Sequence, residues 1–141
     1  MKMSTVVWFV VIIGLVLLGI WYFMPRPASA NPVLTVANDA TLGDFLVASN
    51  GMTLYLYTND TKDVTNCYDL CAVNWPPYVR TTAEPLVGGA GMAGTIATTA
   101  RTDGTEQITY NGIPLYFWKN DLKPGDTTGQ NVGGVWFVVH P

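Results

Sequence analysis

Two stretches of this chain, 61 residues apart, are copies of one another. The first runs Asn50-Gly51-Met52-Thr53-Leu54-Tyr55-Leu56-Tyr57-Thr58-Asn59-Asp60. The second runs Asn111-Gly112-Ile113-Pro114-Leu115-Tyr116-Phe117-Trp118-Lys119-Asn120-Asp121. Six of the eleven positions are identical without a gap, and the same offset pairs Thr41 with Thr102, Gly43 with Gly104 and Trp75 with Trp136. A fixed period means a repeated structural unit. Neither copy, at about 40 residues, buries enough surface to stand alone, so two halves related by an approximate two-fold must share one core.

The units read as strands. Phe45–Ser49 and Met52–Thr58 flank Asn50-Gly51, and Gln107–Tyr110 and Ile113–Lys119 flank Asn111-Gly112. Asn-Gly between β-prone runs is the signature of a two-residue hairpin turn. Pro114 lacks an amide donor and belongs at an edge or a strand start. Val33–Ala37, Gly94–Thr99 and Val135–His140 are further strand candidates, and the glycines of Gly88–Gly94 mark a loop between the copies. Helical periodicity is confined to Asn66–Val73, where Asn66 is placed to cap a turn or two before Trp75-Pro76-Pro77. The expected class is all-β, a small sandwich or barrel of two duplicated, hairpin-containing halves. The copies span about residues 40–80 and 101–141, within a domain of residues 31–141.

Residues 1–30 have another character. Val6–Met24 is a 19-residue apolar run, about 28 Å long as a helix and so close to the thickness of a bilayer core. Lys2 precedes it, Trp21, Tyr22 and Phe23 close it, and a Pro-rich linker follows. Ala28-Ser29-Ala30 is a cleavage pattern, but the run exceeds a signal peptide's usual core of about 7–15 residues. A retained anchor in the cytoplasmic membrane is therefore expected, with a secreted product as the alternative if cleavage follows Ala30. From Asn31 onward the chain carries 5 Lys/Arg against 10 Asp/Glu, which argues against a nucleic-acid partner.

Period-2 alternation gives each repeated strand two faces. Leu54, Leu56, Leu115 and Phe117 point one way, and Tyr55, Tyr57, Tyr116 and Trp118 the other. Both faces are apolar or aromatic, so both are expected to be covered. The rings are either core, with their OH and NH groups bonded locally, or the lining of a groove that stacks on a ligand. Asp60 and Asp121 end each motif. They serve as turn residues, or the two-fold brings them together for acid–base chemistry or a hard cation, although no run of oxygen ligands accompanies them. Cys67 and Cys71 are the only cysteines, and in an exported domain they favour a disulfide. On a regular helical turn their Cβ atoms would sit about 5–6 Å apart, too far for that bond, so the turn must be irregular. Arg101, beside Asp103, is expected to pair with a carboxylate at little energetic gain. No nucleophile–His–acid set, phosphate cradle or cofactor motif is present, and neither catalysis nor a cofactor is expected.

These residues resemble the secreted-repeat, or predicted-lipoprotein, family marked by Y-x-(F/W/Y)-x-x-D. Tyr55–Asp60 and Tyr116–Asp121 both fit that motif. The other marks are C-x-x-x-C-x-x-x-W-P-P at Cys67, Cys71 and Trp75, R-x-D-G at Arg101 and Asp103, Y-N-G-x-P-L-Y at Tyr110–Tyr116, and a closing G-x-W-F-V-V that contains Trp136. The resemblance implies a cell-envelope protein whose biochemical role is not established. The chain lacks the lipid-modified cysteine of lipoprotein members, which shifts anchoring to the N-terminal helix. The leading expectation is a non-catalytic envelope module that binds a ligand or protein partner through Tyr55, Tyr57, Asp60, Tyr116, Trp118 and Asp121. The alternatives are a redox accessory using Cys67/Cys71 or the Tyr/Trp set, and a divalent-cation binder at Asp60 and Asp121.

Overall fold

Local turn chemistry builds the same hairpin twice. The computed structural model describes residues 31–141, so the N-terminal anchor or signal segment of residues 1–30 lies outside the described residues. In the first half, β1 (Leu34–Asp39) pairs antiparallel with β2 (Gly43–Ala48). The Asp39 carboxylate accepts the amides of Thr41 and Leu42 at 2.7 and 3.0 Å to shape the turn between them. In the second half, β4 (Ile96–Ala100) pairs with β5 (Glu106–Tyr110). There Asp103 takes the amide and hydroxyl of Thr105, and Gly104 supplies a φ of 84°. Both carboxylates are held below their usual range, Asp39 by the two amides and Asp103, to about 2, chiefly by Thr105.

The two Asn-Gly turns differ. Asn111 (φ 52°) and Gly112 (φ 80°) form the expected two-residue turn from β5 into β6 (Ile113–Pro114), the outer strand of its sheet. In the first copy only Gly51 has positive φ; its amide bonds to the Ala48 carbonyl, and the Ala48 amide bonds to the Met52 carbonyl. That is a three-residue loop with a glycine bulge, so its pairing (Val47 opposite Thr53) is one residue out of step with the second copy.

Beyond the hairpins, each half completes the other. β3 (Tyr55–Tyr57) pairs with β7 (Trp136–Val138), bringing Tyr55 opposite Val138. The counterpart, 61 residues on and back, is the bridge from Tyr116 to Pro77. At the centre Tyr55 and Tyr116 exchange both backbone hydrogen bonds, at 2.8 and 3.0 Å. The approximate two-fold axis passes through this pair. The result is all-β, three small antiparallel sheets of two, two and three strands joined by isolated bridges.

The only α-helix among the described residues is α1 (Leu70–Asn74). It begins later than the sequence suggests. Asn66 does not cap it; its amide goes to Asp60 and its side chain to the Asn59 carbonyl. Asp69, at φ 50°, turns the chain into the helix. Cys67 therefore precedes the helical turn, and the Cys67–Cys71 disulfide forms across Cα atoms 5.2 Å apart.

The motif strands are covered on both faces. Leu54 and Leu115 pack with Leu34, Leu46, Ile108 and Val139 on one side. Tyr55 and Tyr116 pack with Phe45, Val47, Trp75, Trp136 and Val138 on the other. Gly129 sits against this second core, where an added Cβ would lie 2.8 Å from the Tyr55 ring and 2.9 Å from Trp75. Overpacking of this kind costs about 1–3 kcal/mol. Gly129→Ala is expected to lower stability by that amount in chemical denaturation, while Lys123→Ala on the exposed surface stays within about 0.5 kcal/mol.

Candidate functional site

The tyrosines and aspartates of the repeated motif meet, but crosswise. Tyr55 Oη donates to Asp121 Oδ2 and Tyr116 Oη donates to Asp60 Oδ2, each at 2.6 Å. The geometry follows from the strands: a Tyr55–Tyr116 backbone pair puts both side chains on one face, and each reaches the turn that ends the other copy's motif. Those turns are alike, since the Asp60 amide bonds to the Tyr57 carbonyl and the Asp121 amide to the Trp118 carbonyl. The second oxygen of each carboxylate is also engaged. Asp60 Oδ1 accepts the Asn66 amide at 2.6 Å, and Asp121 Oδ1 accepts the amide and hydroxyl of Thr128 at 2.9 and 2.6 Å.

Around these pairs the aromatic rings form a stack. Tyr57 lies on Trp136 (centroids 4.3 Å, 12° between planes), Trp136 on Trp75 (3.9 Å, 4°), and Trp75 on Trp118 (4.1 Å, 28°). The sequence offset maps Tyr57 onto Trp118 and Trp75 onto Trp136, so the axis runs through the middle of the stack. Tyr55 and Tyr116 meet Trp75 and Trp136 edge-on, at 5.4 and 5.2 Å, a geometry that suits the opposed charge of ring edge and ring face. The inner tryptophans are buried and the outer two rings half-buried.

Arg101 departs from the weak surface pair read in the sequence. It is 4% exposed and binds Asp103 through Nε, Thr65 and Gln107 through Nη1, and the Cys67 carbonyl through Nη2. Its guanidinium also lies 4.5 Å from the centre of the Tyr68 ring. Because the Tyr116 proton goes to Asp60, the short Thr65–Tyr116 contact has Thr65 as its donor. Donors thus run in one direction, from Arg101 through Thr65 and Tyr116 to the Asp60 carboxylate. On the matching side the Tyr55 hydroxyl receives a single backbone amide, that of Gly129. Burial pushes the Tyr55 and Tyr116 hydroxyls above their ordinary range, helped by the adjacent carboxylates. Burial also raises Asp60, against the opposing effect of its Tyr116 and Asn66 hydrogen bonds and of Arg101.

Of the sequence-selected residues, Tyr55, Tyr116 and Asp121 are buried, as are Trp75, Trp136 and Arg101. Tyr57, Asp60 and Trp118 retain partial exposure, and Asp103 is exposed. Tyr57 and Asp60 line a surface groove of about 280 Å³ with Lys62, Asn111 and Pro114, drawn from both copies. Thr65, Gln107 and Lys62 were not singled out in the sequence. Gln107 carried the clearest signal, a polar side chain inside a strand that proves fully buried. No cluster of three or more metal-ligating side chains occurs among the described residues.

Among known families, a secreted repeat of unknown function matches the chain twice, over residues 36–78 and 97–140. The chain belongs to that family. The matches begin 61 residues apart, the period of the internal copy, and the family carries an extracellular or envelope location with it. No curated protein and no solved structure matches the chain. Among the described residues of this secreted repeat, no helix is long and apolar enough to cross a membrane.

A hydrogen bond to a charged group contributes about 1.5–3 kcal/mol. Tyr116→Phe is expected to cost that much in denaturation. Tyr57→Phe, whose hydroxyl only accepts from the exposed Asn59 amide, is expected to stay within about 0.5 kcal/mol. Asp60 generates a pH signature. Its folded pKa is raised, so its protonated form is favoured by folding, and the stability this adds at low pH is lost as pH rises through that folded value. The melting temperature of wild type relative to Asp60→Asn should therefore rise as pH falls from neutral toward the ordinary aspartate range. A flat or falling difference would contradict the assignment.

Proposed function

We propose that this secreted repeat is a non-catalytic module of the cell envelope, held at the outer face of the cytoplasmic membrane by its N-terminal apolar segment. In this reading it binds a short zwitterionic ligand, such as a peptide stem or amino-sugar fragment of an envelope polymer. The carrying observation is the groove lined by Tyr57, Asp60, Lys62, Asn111 and Pro114. Tyr55, Tyr116 and Asp121 are enclosed by the fold, which leaves Tyr57 and Asp60 as the motif groups that line the groove. Lys62 offers an ammonium, Asp60 a half-buried carboxylate, Tyr57 a ring and Asn111 an amide. A volume of about 280 Å³ is just under the range of about 300–1,000 Å³ typical of small-molecule pockets, which suits a fragment better than a large cofactor.

The test is NMR titration of the full chain with soluble peptide and glycan fragments of cell wall. Shifts are expected at Tyr57, Lys62 and Asn111, with affinity falling about tenfold in Lys62→Ala, the equivalent of about 1.4 kcal/mol. No shift at those residues with any fragment at millimolar concentration would refute the reading.

A further inference from the structure

We propose that the four-ring stack is a one-electron relay across the domain, taking an oxidising equivalent in at Trp118 and delivering it to Tyr57. Four observations carry this. Successive ring centroids are 4.1, 3.9 and 4.3 Å apart, so every step is between rings in van der Waals contact, the regime in which electron exchange is fastest. Indole and phenol are the most readily oxidised aromatic side chains, and all four members are one or the other. The two inner rings are 4 and 5% exposed while the outer rings reach solvent, so the path is shielded along its length and open at its ends. The cysteines of the same cluster are joined as a disulfide, and the chain has only those two, so no thiol lies in the path to trap the charge.

The steps balance with an organic peroxyl radical as oxidant and a small thiol as reductant. The peroxyl radical takes one electron from the Trp118 indole and one proton from water, becoming a hydroperoxide. The vacancy passes to Trp75, to Trp136 and then to Tyr57 as each ring gives an electron to the one before it. Tyr57 loses its phenolic proton to water as its electron leaves, and it becomes a neutral phenoxyl radical. The partial exposure of its ring and the exposed Asn59 amide that donates to its oxygen leave that proton a route outward. A thiol then gives Tyr57 a hydrogen atom and restores the phenol. The net reaction turns one peroxyl radical and one thiol into one hydroperoxide and one thiyl radical. The reading does not depend on a ligand in the groove.

The experiment uses the full chain with a ruthenium photo-oxidant on a histidine introduced as Lys119→His, with His140→Gln leaving one attachment point. Lys119 is exposed and adjoins Trp118. After flash-quench oxidation, an indole radical is expected first and a tyrosyl radical next, with the tyrosyl signal in electron paramagnetic resonance abolished by Tyr57→Phe. Trp136→Phe keeps a ring but not an oxidisable one, and it is expected to abolish the tyrosyl signal while leaving the indole radical. Should Trp136→Phe fail to fold by near-ultraviolet circular dichroism, Tyr57→Phe alone still decides, because its hydroxyl makes no buried bond. A tyrosyl signal that survives Tyr57→Phe, or survives Trp136→Phe at full yield in a folded protein, would overturn the relay.

Discussion

The backbone exchange between Tyr55 and Tyr116 is the contact on which the rest of the domain depends. It sets the two motif strands side by side in opposite directions, and every other symmetric contact follows from that placement. Each tyrosine hydroxyl is delivered to the other copy's aspartate, and each copy's C-terminal segment lies beside the other's motif strand. A half cut free would leave a buried phenol without an acceptor and a strand without a neighbour. Unmade hydrogen bonds of this kind cost about 1–3 kcal/mol each, so the halves are obligate to one another. The partners lie far apart in sequence, as with Tyr55 and Val138, and loop closure must come before these contacts contribute.

Symmetry breaks around Asp60. Arg101, Gln107 and Cys67 correspond by the 61-residue offset to Ala40, Leu46 and Thr128, so the buried cation, its amide partner and the disulfide belong to one side only. Arg101 is an expensive residue to bury, and it is tolerated because each of its nitrogens has an acceptor. It ties the Cys67–Cys71 loop, by the Cys67 carbonyl, to the hydroxyl chain that ends on Asp60. The opposite carboxylate is fixed more simply, by Thr128 and Tyr55, and is 7% exposed. Greater polarity and greater access therefore coincide at one end of the pseudo-symmetric pair.

Much of this was legible in the sequence for physical reasons. The hairpins could be read because turn residues and period-2 alternation are local, and the second Asn-Gly turn formed with both residues at positive φ. Coverage of both strand faces could be read because neither face carries charge. The first turn was missed by one residue because an Asn-Gly pair also fits a three-residue loop, where only Gly51 needs positive φ. The helix start was missed because Asn66 had a better partner in the Asp60 carboxylate, six residues back. The crossing of tyrosine to the other copy's aspartate is a long-range pairing that no local pattern encodes. Arg101 looked like a surface charge beside a turn because two of its three buried acceptors, Thr65 and the Cys67 carbonyl, lie 36 and 34 residues away.

The motif therefore changes meaning once the fold is known. A duplicated ring-ring-aspartate unit in an acidic domain reads as a pair of binding sites. In the structure most of it is consumed: two tyrosines and two aspartates lock the halves, and the remaining two rings end a stack whose centre is core. In this chain the motif is first a scaffold, and it carries little information about a ligand. Room for a ligand is left where solvent still reaches the motif. In this chain that is the Tyr57 side, with Lys62 and Asn111 in the groove and Arg101 behind Asp60. Tyr57 belongs to both arrangements, as a wall of the groove and as the end of the stack. An occupant of the groove would lie against the ring on which the relay ends, so the two proposals, though tested separately, converge on one residue.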